Sequence, residues 1–302
     1  MSSPRNTVGH ALVKRAKWLD AVANVFGAIM DGLYRIPGTR PLKSLLHGTW
    51  PLRHPLHPAF TDWTVGGYTT LFALDVFYLA TGDVTLARAT DFVLVLTLIS
   101  SVGSILSGLT DWKETAGEER RTGMLHGLFM VAANVGFVFS LWMRLGSPAD
   151  QRGVAIGVAI VAFVILIVGS YLGGEMVFGY GTEVNRQAWV PVPAKWERLQ
   201  VATNGLEDRK PVVAKTQKGM DVFVVKLDGE IYAMGNACTH AGGPLNEGKW
   251  VGDDRCEIEC PWHASRFCAK DAGVRAGPAT FPEQRLETRI DDKGFVEVRG
   301  QS

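Results

Sequence analysis

Cys238-Thr239-His240 and Cys260-Pro261-Trp262-His263 put two thiols and two imidazoles into two short segments, with 19 residues between them. Thiolate sulfur and imidazole nitrogen are ligands for soft and borderline metals, and two of each can complete a tetrahedral zinc site. The same four groups can instead be shared over a two-iron, two-sulfide cluster, thiolates on one iron and imidazoles on the other. Each segment follows a strand-like run and leads into glycine or proline turns. That pairing favours the cluster and leaves zinc as the alternative.

The neighbouring residues sharpen the choice. The stretches CTHAGGPLNEG and CPWHASRF resemble the two cluster-binding loops of Rieske proteins, and Gly277-Pro278-Ala279 resembles the proline loop that covers the cluster. The likeness runs over roughly 196–300. It implies a small all-β domain holding a [2Fe–2S] cluster, with Cys238 and Cys260 on the inner iron and His240 and His263 on the outer one. Trp262, Ser265, Phe267 and Pro278 would surround it. Imidazole carries less negative charge than thiolate, so such a cluster accepts an electron more readily than an all-cysteine one.

Departures from the quinol-oxidising branch of that family carry information. The places where its members have a loop-bracing disulfide are held by Gly243 and Trp262. Ser265 is kept as a hydrogen-bond donor, but the tyrosine position reads Phe267. Fewer donors imply a lower potential and a ferredoxin-type module. Cys256 and Cys268 lie outside the ligand set and are expected as buried or free thiols, as a reducing cytoplasm would keep them. Only 39 residues follow His263, none of them His, so the mononuclear iron site of a Rieske oxygenase is not expected.

These loops need short strands to hold them. Pro211–Ala214, Asp221–Leu227 and Ile231–Met234 are apolar runs divided by Lys218-Gly219 and Asp228-Gly229, and Glu287–Ile290 and Phe295–Val298 flank Lys293-Gly294. Asp-Gly between apolar runs signals a hairpin. The pattern predicts a small antiparallel barrel or sandwich over 196–302, joined by a linker over 176–195 to what precedes it.

What precedes it is apolar. The chain of 302 residues is 47% hydrophobic and 20% charged. Gly153–Gly174 runs 22 residues without a charge, Phe92–Leu109 another 18, and Met124–Met143 another 20. A fourth, less clean run over Phe60–Thr81 contains Asp62 and Asp75. Each is long enough to cross a bilayer core of about 30 Å. The fold expected is therefore an α + β two-domain membrane protein, a four-transmembrane-helix bundle (58–175) followed by a small all-β Rieske domain.

Residues 1–57 carry eight Lys/Arg against two Asp/Glu, while 196–302 carry fifteen against seventeen. A basic arm on a neutral body points to anionic lipid rather than nucleic acid. Leu12, Ala16, Leu19, Val22, Phe26, Ile29 and Leu33 recur at helical spacing, which predicts an amphipathic helix on the membrane or against the bundle. The basic arm, an even number of spans and the lack of an export signal place both termini and the Rieske domain on the cytoplasmic side of the plasma membrane.

His54-Pro55-Leu56-His57-Pro58, Gly108–Trp112 and His126 resemble the DUF2231 family of small membrane domains, over about 50–175. His57, Asp62, Asp111 and His126 are expected at one membrane depth. His57, Asp111 and His126 form a candidate cofactor site for haem, another metal or a quinone, the alternative being helix caps and headgroup contacts. Three functions follow from the sequence. The leading one is a membrane-anchored carrier of single electrons between donor and acceptor proteins or quinone. The others are a quinone- or haem-linked oxidoreductase and a redox-sensing module.

Overall fold

Long uncharged runs leave the backbone no partner but itself in an apolar medium, and they form helices here. The computed structural model of the protein describes residues 8–49, 51–252 and 256–301. Two compact units emerge, one from residues 1–46 and 55–182, the other from 47–54 and 183–302.

The first unit is helical: α1 (Val8–Arg15), α2 (Leu19–Arg35), α3 (Arg40–His47, running into the second unit), α4 (Leu56–Thr81), α5 (Leu86–Trp112), α6 (Gly117–Leu145) and α7 (Gly153–Gly174), the last continued by a π-helix over Glu175–Tyr180. Helix α4 packs on α5 and α7, α6 on α5 and α7, leaving α4 and α6 on the diagonal. Tyr68, Leu71, Leu94, Phe137 and Leu166 fill the shared core. Apolar side chains such as Phe92, Ile99, Val135, Val154 and Val161 face outward. An apolar exterior of this extent suits lipid rather than water.

Among the described residues three helices, not four, are long and apolar enough to cross a membrane: α5, α6 and α7 with its π extension. Helix α4 has the length but not the composition, because it carries polar groups for its neighbours. Asp75 is buried and takes a two-pronged bond from Arg144 of α6 at 2.9 and 2.5 Å, with Thr90 and Ser140 on the same guanidinium. Arg144 is thus a buried helical residue. Tyr68 of α4 donates to Asn134 of α6 at 2.7 Å.

The amino-terminal stripe is shifted from the expected one. Helix α2 buries Leu19, Ala23, Gly27 and Met30, and leaves Phe26, Ile29 and Leu33 exposed. The side chain of Leu12 lies outside the described residues. Polar clamps decide the rotation of the helix: Arg121 of α6 holds Asp20 at 2.6 and 2.8 Å, and Arg120 donates to the Ala23 carbonyl at 2.9 Å.

The second unit is a β domain. Strands β1 (Glu197–Ala202), β2 (Val212–Lys215), β3 (Asp221–Leu227), β4 (Glu230–Gly235), β9 (Arg285–Ile290) and β10 (Phe295–Gly300) form an antiparallel sheet in the order β1-β10-β9-β4-β3-β2. The short strands β5 (Lys249–Val251), β6 (Glu257–Glu259), β7 (Arg266–Cys268) and β8 (Val274–Ala276) make a second sheet in sequence order. Asp228 and Gly229 both have positive φ, at 53° and 88°, which turns β3 into β4. Residues expected as a free linker belong to this unit from Glu183 onward, with Gln187 buried and Val190 and Val192 packed into its core.

Candidate metal centre

Two loops of the same design carry the chemistry. In the first, Cys238 N–H donates to the Gly243 carbonyl at 2.8 Å and Gly242 N–H to the Cys238 carbonyl at 2.7 Å. In the second, Cys260 N–H donates to the Ser265 carbonyl at 2.8 Å and Ala264 N–H to the Cys260 carbonyl at 3.1 Å. The fourth residue after each cysteine is left-handed, Gly242 at φ 84° and Ala264 at φ 57°. The first loop follows β4 and the second joins β6 to β7, so both sheets present a cysteine to the same spot. Cys238 and Cys260 are buried in one core with Phe267 and Leu245.

The two thiols are close neighbours. That contact pushes the Cys238 thiol up and the Cys260 thiol down to about 6, with backbone N–H groups of Trp262 and His263 also favouring the Cys260 thiolate. The His240 and His263 rings stand 4.9 Å apart at 87°. Two imidazoles on one tetrahedral ion have ring centres about 5 Å apart, given metal–nitrogen bonds of about 2.0–2.1 Å. Among the described residues His240 Nδ1 is buried with no hydrogen-bond partner, while its Nε2 lies 3.7 Å from Glu183 Oε1. A buried Nδ1 without a partner among the described residues fits a ligand position, and so does a pair of buried free thiols.

A profile for the Rieske [2Fe-2S] domain matches residues 198–288. The ferredoxin component of the naphthalene 1,2-dioxygenase system of Pseudomonas putida is 33% identical over 98 residues, 32% of this chain and 89% of that protein. The chain belongs to the Rieske [2Fe-2S] family. The ferredoxin subunit of 3-phenylpropionate/cinnamic acid dioxygenase from Shigella flexneri is 36% identical over 84 residues, 28% of this chain and 69% of the subunit. The ferredoxin of carbazole 1,9a-dioxygenase from Nocardioides aromaticivorans is a solved structure at 26% identity and TM-score 0.32, covering 36% of this chain and all of that one. Residues 53–186 match the family described as predicted membrane protein (DUF2231).

Around the Rieske centre, each expected neighbour has a definite place. Trp262 is 56% exposed and its indole lies over Gly243, where a Cβ would come within 2.8 Å of Cys260 Sγ and 3.0 Å of the indole. Ser265 is fully buried and its Oγ accepts the Ala279 N–H at 3.0 Å. Phe267 is fully buried, and Pro278 is buried in the covering loop. Gly277 has φ 89°, and a Cβ there would meet Ser265 Cα at 2.5 Å, so only glycine fits.

Cys256 and Cys268, expected as thiols, form a disulfide with Cα atoms 4.8 Å apart. Cys256 stands just before β6 and Cys268 pairs with Glu257 in β7, which makes them diagonal neighbours, a proximity their spacing of 12 did not reveal.

Three contributors were missed because they act from far along the chain. Thr49 Oγ1 donates to the Gly277 carbonyl at 2.5 Å and so ties down the proline loop. Glu183 reaches His240 from a left-handed backbone at φ 60°. Glu283 accepts the Thr239 N–H at 2.7 Å, and burial raises its carboxyl well above the ordinary range, with the negative charge of Cys260 adding to the shift.

In the helical unit, His57 and His126 face each other with ring centres 6.4 Å apart. Asp111 is buried at the end of α5, one turn beyond the glycine (Gly108) on which His57 rests. Asp62 is exposed and takes no place in this group.

Proposed function

We propose that this protein is a membrane-tethered Rieske electron carrier, passing single electrons through a [2Fe–2S] cluster at the cytoplasmic face of the plasma membrane. Cys238 and Cys260 hold the inner iron, and His240 and His263 the outer one through Nδ1. When bound, the cluster supplies a one-electron site whose charge the protein tunes by hydrogen bonds and burial. The observation that carries this reading is the convergence of two equivalent loops on a pair of buried free thiols and a pair of imidazoles at cis-ligand separation.

The chain's own residues perform three tasks. Backbone N–H groups of His240, Trp262 and His263 point at the two sulfurs and favour their charged form. The indole of Trp262 stands 6.4 Å from the His263 ring, and its exposure leaves an apolar contact for a partner. Glu183, 3.7 Å from His240 Nε2, orients that ring from outside. The relatives are named as components of dioxygenase systems, which supports an oxygenase-type acceptor and a reductase-type donor.

Helix α4 is the fourth span in this proposal, its carboxylate neutralised inside the unit by Arg144. The basic arm supports the cytoplasmic face. The Cys256–Cys268 disulfide pulls the other way, because such bonds persist in oxidising compartments. Protection of a carboxy-terminal tag in intact cells decides between them. Cytoplasmic placement predicts protection until the cells are opened, and cleavage by external protease reverses the assignment.

For the activity, the full-length protein in nanodiscs is mixed with an NADH-linked ferredoxin reductase. One electron per chain is expected, and Trp262→Glu slows the transfer without altering the cluster spectrum. Reduction by quinols together with inertness toward every protein donor would replace the carrier with a quinone oxidoreductase.

A further inference from the structure

His57, in the first turn of α4, and His126 of α6 are held in the same way from opposite corners of the helical unit. His57 Nδ1 lies 2.9 Å from the Ser104 carbonyl of α5, and His126 Nδ1 lies 2.8 Å from the Gly169 carbonyl of α7. A carbonyl only accepts, so both rings carry their proton on Nδ1 and turn a bare lone pair to Nε2. Each ring also lies against a glycine. A Cβ at Gly108 would meet His57 Cε1 at 2.6 Å, and one at Gly173 would meet His126 Cε1 at 3.0 Å. Among the described residues, neither Nε2 has a hydrogen-bond partner.

Two imidazoles brought to 6.4 Å between ring centres from diagonal helices, each with an unpartnered Nε2, offer a pair of nitrogen ligands. An imidazole whose other nitrogen donates to a backbone carbonyl is the usual state of a metal-bound histidine. The separation has the matching size. Two metal–nitrogen bonds of about 2.0–2.1 Å, with about 1.1 Å from each nitrogen to its ring centre, span roughly 6.3 Å when the rings lie on opposite sides of one ion. The ring centres are 6.4 Å apart, against 4.9 Å for His240 and His263, which fit adjacent positions on one iron. Among the described residues no third His, Cys, Asp or Glu joins them in a metal-binding group. The remaining ligands must come with the metal. A haem iron brings four of its own, takes histidine axially, and is housed in the cores of helix bundles.

We propose that His57 and His126 are the two axial ligands of a haem held within the helical unit. It gives that unit a one-electron centre of its own, whether or not the Rieske reading holds.

The test is optical. Full-length protein is purified in detergent from cells supplied with a haem precursor, and the apo form is titrated with hemin. One haem per chain with a six-coordinate, low-spin spectrum is expected. His57→Ala and His126→Ala should each lose the low-spin bands and lower hemin affinity at least tenfold, while His54→Ala changes neither. Helical content by far-UV circular dichroism and a monodisperse gel-filtration peak, measured on the same samples, report folding of the helical unit. Should the alanine variants fail to accumulate, His57→Met and His126→Met, which keep bulk and offer a sulfur ligand, should retain haem with shifted bands. No hemin binding by the wild-type protein, wild-type spectra in the variants, or a stoichiometric bare metal ion in place of haem would overturn the proposal.

Discussion

Ser265→Ala tests how the protein sets the cluster's charge. The Ser265 Oγ accepts the Ala279 N–H at 3.0 Å in a fully buried position. Its own proton finds no acceptor among the described residues, which leaves it to donate to a cluster or ligand sulfur. Hydrogen bonds to charged acceptors contribute about 1.5–3 kcal/mol. The reduced cluster carries one more negative charge than the oxidised one, so the bond strengthens on reduction. If that strengthening is about 1 kcal/mol, losing it lowers the midpoint by about 40 mV, since 59 mV corresponds to a tenfold change for one electron. The same change strands the buried Ala279 N–H, at about 1–3 kcal/mol of stability. Redox-titrated EPR on the full-length protein reads the first effect, and iron retention on warming reads the second. A midpoint equal to wild type at full cluster occupancy would refute the argument that the hydroxyl points at sulfur.

Other consequences can be checked in the same preparations. Phe267→Tyr adds a hydroxyl to a fully buried ring packed with Cys238 and Cys260; the midpoint should rise by about 40 mV if the oxygen reaches a sulfur, while an unsatisfied hydroxyl would instead cost about 1–3 kcal/mol of stability and leave the potential unchanged. Glu283 has a folded-state pKa raised above its unfolded value, so the native state binds more protons and stability falls as pH rises from the unfolded value toward the folded one. Glu283→Gln, which can still accept the Thr239 N–H, should therefore gain on wild type in thermal unfolding between pH 5 and pH 8; an equal difference at both would contradict this. Asp75→Ala strands the fully buried Arg144 and should cost about 3–5 kcal/mol, whereas Asp75→Ala with Arg144→Met recovers most of it in detergent unfolding. Equal losses in the single and double variants would remove the ion pair from the account.

Much of the candidate centre was legible because its two thiols and two imidazoles sit in two short segments whose turns are local. The Asp228-Gly229 hairpin and strands β3 and β10 were readable for the same reason. Strands β5 to β8 were not, since three residues cannot display an alternation. The face that α2 buries escaped because polar clamps from Arg120 and Arg121, remote in sequence, set its rotation. Helix α4 fell below the hydropathy of a span because Asp75 is satisfied by a partner 69 residues away. Distance also hid Thr49, Glu183 and Glu283, ordinary polar residues until the fold brings them to the loops. The Cys256–Cys268 bond needed the hairpin register before the two sulfurs became neighbours.

The central claim is a cluster with imidazole nitrogen on one iron only. Pulsed EPR on the dithionite-reduced, full-length protein measures this by the number of nitrogen nuclei strongly coupled to the electron spin. The account predicts two irons per chain and two coupled ¹⁴N nuclei in the wild type, falling to one when His263→Cys exchanges an imidazole for a thiolate. A protein made with adequate iron that contains zinc and no iron, or a reduced cluster without strongly coupled nitrogen, would contradict it.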